Sequence, residues 1–141
     1  MILYLDTSAL VKLYVREPGS TALRAHAAKA GALATSVVAY AEIRAAFARL
    51  KQCGVSSDAR HQQRLQQLGR DWEALLRVEL AADVQRSAGD LAEIYSLRGF
   101  DSIHLASALW LKARVSESVD FAVFDRRLGA AASKAGLSVV P

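Results

Sequence analysis

MILYLDTSALVKLYV, residues 1–15, decides how the fold is read. ILYL (2–5) is a short apolar run containing a β-branched and an aromatic residue, and it meets a single acid, Asp6. TSALVKLY follows at once with the spacing of a helix. A strand that is apolar on both faces and runs straight into a helix belongs in a parallel sheet covered by helices. In such a sheet the carboxyl ends of the strands open on one edge, where ligands bind. Asp6 stands at that edge.

The pattern repeats along the chain. Apolar runs occur at LATSVV (33–38), LLRVEL (75–80), FAVF (121–124) and LSVV (137–140), with longer helical stretches between them. Tyr40, Ile43, Phe47 and Leu50 make one apolar stripe from Val38 to Lys51. Arg60–Gly69 reads as a polar helix, and Val84–Arg98 as a helix with Leu91, Ile94 and Tyr95 inward. Asp101–Ala113 is apolar almost all round and should be buried. The expected fold is α/β, a mostly parallel central sheet of about five strands flanked by helices. No linker, repeat or low-complexity tract divides residues 1–141, so one domain is expected.

With 141 residues, 52% of them hydrophobic, there is material for one core. The net charge of +4 permits a polyanionic partner. Between Arg44 and Arg77 there are seven basic residues against three acids, so that segment carries the whole net charge, either as a solvated helical face or as a phosphate-attracting one. Cys53 is alone, which excludes an intrachain disulfide and a cysteine zinc cluster and fits a reducing cytoplasm. The N-terminal stretch has no basic region before its apolar run, unlike a signal peptide. The longest uncharged run, Ala30 to Ala41, falls short of the ~18 apolar residues of a membrane span. A soluble, cytoplasmic protein without membrane contact is expected.

Four acids invite a chemical reading. Asp6, Asp101 and Asp125 each precede or open a helix, and each could serve only as a cap. Glu42 could not: it lies within a helix, and its neighbours three and four away are Val38, Ala39, Ala45 and Ala46, small enough to leave a carboxylate room in a cleft. Four carboxylates facing one crevice would repel one another unless a cation sat among them. Hard oxygen ligands favour Mg²⁺ or Mn²⁺, completed by waters and substrate phosphates, and such an ion suits phosphodiester hydrolysis.

LDTSALVKLY, AEIRAAFARL, GFDSIHLASAL and FAVFDRRLGAAASKAGLSVVP, in that order and spanning the chain, resemble the PIN-domain ribonucleases, specifically the VapC toxins of prokaryotic toxin–antitoxin modules. The resemblance implies an endoribonuclease using Mg²⁺ or Mn²⁺ in an acidic pocket, a homodimer, and inhibition by a VapB-type antitoxin. Carried over residue by residue, it makes Asp6, Glu42, Asp101 and Asp125 the metal ligands and catalytic acids. One departure stands out: many members have Thr or Ser two residues before the last Asp, where this chain has Val123. Thr7 and Ser8 are candidates to supply hydroxyls instead, Ser8 being preferred.

Asp120 rivals Asp125 but precedes FAVF and should lie toward the opposite sheet edge. His104 should be a hydrogen-bonded core or near-site residue, since a metal-activated water needs no imidazole. Lys12, Arg16, Arg126 and Arg127 could hold phosphates or be merely solvated; Trp72 could stack bases, and Trp110 should be core. A haloacid-dehalogenase-type phosphatase needs a second Asp where this chain has Ser8, and a dinucleotide binder needs a G-x-G-x-x-G that is absent. The remaining alternative is a PIN-like scaffold that binds RNA or protein without cutting.

Overall fold

Ile2, Leu3, Tyr4 and Leu5 are all buried, as a strand covered on both faces must be. The computed structural model describes residues 1–141. In chain order the elements are β1 (Ile2–Leu5), α1 (Thr7–Lys12), α2 (Ser20–Lys29), β2 (Ala32–Ser36), α3 (Ala39–Gln52), α4 (Asp58–Trp72), β3 (Leu76–Val78), α5 (Ala82–Tyr95), α6 (Gly99–Lys112), β4 (Val119–Ala122), α7 (Arg126–Lys134) and β5 (Ser138–Val140). The strands form one sheet in the order β3-β2-β1-β4-β5, every pair parallel. Ile2 pairs with Ala32 on one side and Val119 on the other. The chain leaves β1 toward β2 and later returns to β4 on its other flank. The carboxyl ends of β1 and β4 are therefore the switch point of the sheet, where a crevice opens.

Side chains alternate along β1, and the core divides accordingly. Ile2 and Tyr4 join Phe121, Leu105, Leu128 and the buried faces of α5, α6 and α7 in one cluster. Leu3 and Leu5 join Leu10, Leu23, Ile43, Phe47 and Leu68 in the other. α6 buries seven of its 14 residues, as its apolar composition foretells.

The structure departs from the sequence pattern at several points. α2 has no signal in the sequence, because STALRAHAAK carries no apolar stripe and Leu23 is its only buried large side chain. The fourth strand is Val119–Ala122 rather than FAVF, since it takes its register from β1. Asp120 thus lies inside β4, beside Leu3 and Ser138. α5 ends at Tyr95, before Arg98, because Ser96 turns left-handed (φ 53°). Arg98 then caps α6, so Gly99 opens that helix rather than breaking the chain. Tyr40 and Ile94 face outward, 38% and 68% exposed; Tyr40 sits at the solvent edge of its stripe, its ring 5.1 Å from that of Trp72. Trp110 is only partly buried, its indole N–H donating to Asp83 at 3.0 Å. No helix is long and apolar enough to cross a membrane.

Gly19 lets the chain turn tightly into α2. It precedes α2 with φ +93°, and a Cβ there would fall 2.5 Å from the ring of Phe124, next to Asp125. Gly19→Ala is expected to cost ~1–3 kcal/mol of stability, read by denaturant melts. Wild-type stability in that variant would show that Phe124 and the turn move aside freely.

Candidate active site

Asp6 emerges from β1 into the first turn of α1 and is 4% exposed. Its Oδ1 accepts the Ala9 N–H at 2.8 Å, and the Ser8 hydroxyl donates to Oδ1 at 3.0 Å and Oδ2 at 3.2 Å. It is therefore a helix cap as well as a lining residue of the crevice. Burial pushes its carboxyl above the ordinary range, against the pull of the Ala9 N–H, His104 and Ser8.

Glu42 is held from two directions. The Thr7 hydroxyl donates to its Oε1 at 2.5 Å, and His104 Nε2 lies 3.1 Å from the same oxygen. His104 is 2% exposed; its Nδ1 lies 3.0 Å from the Tyr4 hydroxyl, and its Nε2 lies 3.0 Å from Thr7 Oγ1. One proton arrangement satisfies the set: Tyr4 O–H donates to Nδ1, Nε2–H points at Glu42, and Thr7 O–H donates to Glu42. Partial burial works against ionisation of Glu42, but His104 and Thr7 outweigh it and hold its carboxyl below the usual range.

Asp101 is the third residue of α6, so capping does not explain it. Burial and then the charge of Asp125 push its carboxyl up, opposed by His104 and Arg98. Asp125 is exposed at the rim and caps α7, accepting the Leu128 N–H at 2.9 Å. All four acids line one cleft of about 600 Å³ at the switch point, with Thr7, Ser8 and His104. Ala45 and Ala46 line it beside Glu42, as the small-residue pattern foretells. Asp120 does not line it. Val123 is buried in the larger core cluster, so a hydroxyl at that position would face apolar side chains.

Arg49, Arg98 and Glu17 also line the cleft and were missed, because nothing in their own sequence neighbourhoods marks them. Glu17 pairs with Lys12 at 2.9 Å. The basic segment from Arg44 to Arg77 does not form one face. Arg44 lies over the ring of Tyr40 and Arg77 over Trp72, while Arg49 turns to the acid cleft.

The raised carboxyls have a stability consequence. A folded-state value above the unfolded one means that the native state binds more protons, so stability falls as pH rises from about 4 through the raised values. Asp101→Asn is expected to raise the melting temperature at about pH 7, with the gain shrinking toward pH 4. A gain independent of pH would show that the carboxylate charge is not its source.

A PIN domain family profile matches residues 3–134. Ribonuclease VapC49 of Mycobacterium tuberculosis is 40% identical over 144 residues, spanning 99% of this chain and 95% of its own. In three dimensions the fold superposes on a chain of FitAcB from Neisseria gonorrhoeae with a TM-score of 0.70 at 17% identity, covering 100% of this chain and 97% of that one. It also superposes on a chain of a toxin–antitoxin complex from Klebsiella pneumoniae with a TM-score of 0.68 at 17% identity, covering 99% and 96%. The PIN profile match, and 40% identity to a VapC ribonuclease over nearly the whole of both chains, make the chain a member of the PIN-domain family, of VapC type.

Proposed function

We propose that this protein is the endoribonuclease toxin of a type II toxin–antitoxin pair, and that Asp6, Glu42, Asp101 and Asp125 hold Mg²⁺ or Mn²⁺ in the cleft. The observation that carries the reading is the gathering of four carboxylates in one crevice, with Asp6 and Asp101 resisting ionisation there. A cation relieves that resistance.

The donor set fits a hard divalent ion, being all carboxylate oxygen with hydroxyls nearby. No group of three or more acidic, histidine or cysteine side chains is placed to hold a metal ion. Mg²⁺ keeps several waters and takes one or two carboxylates directly together with substrate phosphates, so the other acids of the cleft would hold it through bound water. When bound, such a cation supplies an activated water and offsets charge on the phosphodiester.

The chain's own residues do the remaining work. Thr7 and His104 fix Glu42 in its ionised form, and Ser8 fixes Asp6. Arg49 and Arg98 bring positive charge to a rim that would otherwise repel RNA.

A VapB-type antitoxin is the natural inhibitor: an arginine of its C-terminal segment can pair with the same carboxylates and exclude the metal. The active form is a homodimer acting in the cytoplasm. Incubation with mixed RNA in Mg²⁺, Mn²⁺ or EDTA tests the reading. It requires fragments that appear with metal and vanish with chelator; RNA binding without cleavage under all three conditions would favour the non-cutting scaffold.

A further inference from the structure

A second cleft, of about 820 Å³, opens where the segment after α1, the helix α2 and the connection from α3 to α4 meet. Arg16, Arg24, Arg60 and Arg64 line it with Ser56 and Ser57, and its lining contains no acid. None of the four guanidiniums makes an ion pair. Arg24 donates to the Leu13 carbonyl at 3.2 Å and Arg64 to the Ser56 hydroxyl, while the buried Arg64 Nε has no partner. Ser57 caps α4, so the positive end of a 15-residue helix adds to the field. Burial and the neighbouring charge of Arg60 lower the pKa of Arg64. Four unpaired arginines in one concavity are a built receptor for an anion, and the guanidinium fork matches phosphate in particular.

Position identifies the anion. α3 connects the two clefts: Glu42, Ala46 and Arg49 line the acid cleft, and Val55 and Ser56, just beyond its end, line the arginine cleft. At 1.5 Å per residue the ten steps from Glu42 to Gln52 span about 15 Å, a few nucleotides of strand. Apolar anchors for a peptide are scarce, only Tyr14 and Val55 among the lining. The neighbouring cleft of Leu10, Leu13, Leu33 and Leu75 is far better suited to a peptide.

Resting on the ribonuclease reading, we infer that the arginine cleft grips backbone phosphates of the RNA a few nucleotides from the cut. It acts as an exosite that favours long substrates over short ones. Phosphate contacts carry no sequence information, so the cleft sets affinity and register rather than the choice of bases.

The test compares the wild type with Arg60→Ala/Arg64→Ala and with a control of equal charge loss, Arg77→Ala/Arg114→Ala. Binding of a long single-stranded RNA is measured in EDTA over a range of salt. The cleft double variant should bind on the order of tenfold more weakly, with a log–log salt slope shallower by about 1.4, and the control should change much less. Its preference for cutting long RNA over a short oligonucleotide should collapse. Arg60→Ala alone, at an exposed residue whose side chain has no partner, keeps Arg64 and its fold and should move both readings the same way by a smaller amount. Wild-type affinity and slope in the cleft variants, with RNA still cut, would overturn the exosite alone. Loss of antitoxin binding with RNA binding unchanged would assign the cleft to a protein partner and overturn it too. A wild type that neither binds nor cuts RNA would overturn both readings.

Discussion

Asp6→Asn should lower RNA cleavage by more than about a hundredfold, the upper end of what even indirect partners of a metal contribute, while the fold stands. The substitution is isosteric, and an asparagine oxygen can still accept the Ala9 N–H, so the cap of α1 survives. What disappears is a buried negative charge whose ionisation the fold already resists. Melting temperature should therefore hold or rise while activity falls. Asp120→Asn is the matched control: Asp120 lies within β4, away from the cleft, and its loss should leave the cleavage rate close to wild type. Cleavage by Asp6→Asn at the wild-type rate, or equal damage from Asp120→Asn, would contradict the assignment.

His104→Ala should lose both stability and activity, for separable reasons. Removing a fully buried ring leaves a cavity and orphans the Tyr4 hydroxyl, itself inaccessible, at a cost of about 2–5 kcal/mol. Activity should fall about 10–100-fold, because Glu42 loses one of its two donors. The acid limb of the pH–rate profile should report His104 as well. Its charge lowers the carboxyls of Asp6, Glu42 and Asp101 alike, and without it that limb moves to higher pH. Thr7→Val, which removes the other donor to Glu42, should lower the rate with little loss of stability and leave the limb in place. His104→Gln, which can still donate toward Glu42, should recover part of the rate. A loss of stability with an unmoved acid limb would leave His104 a core residue only.

The sequence disclosed what depends on local pattern. β1, Asp6 and the burial of α6 were legible because an apolar run ending in an acid, and a helix apolar all round, have few structural outcomes. The cleft position of Glu42 was legible from the alanines around it. Periodicity gives spacing but not phase, so the stripes containing Tyr40 and Ile94 suggest inward side chains where both face outward in the fold. α2 left no trace because a helix with one large buried side chain has no stripe to detect. The coupling of His104 to Glu42 and Thr7 spans 62 and 97 residues of chain, and such pairings are set by sheet order rather than by any local signal. The four-arginine cleft is the same case, its members drawn from the approach to α2, from α2 itself and from α4.

If these four carboxylates hold a divalent cation, titration of the purified protein with Mn²⁺ will show it without any RNA present, read through the paramagnetic resonance signal of the free ion. The wild type should deplete free Mn²⁺, Mg²⁺ should compete for the same site, and Asp6→Asn and Asp101→Asn should each leave the signal close to that of buffer. Mn²⁺ binding of wild-type strength in both variants would place the cation elsewhere in the protein and remove Asp6 and Asp101 from its ligands.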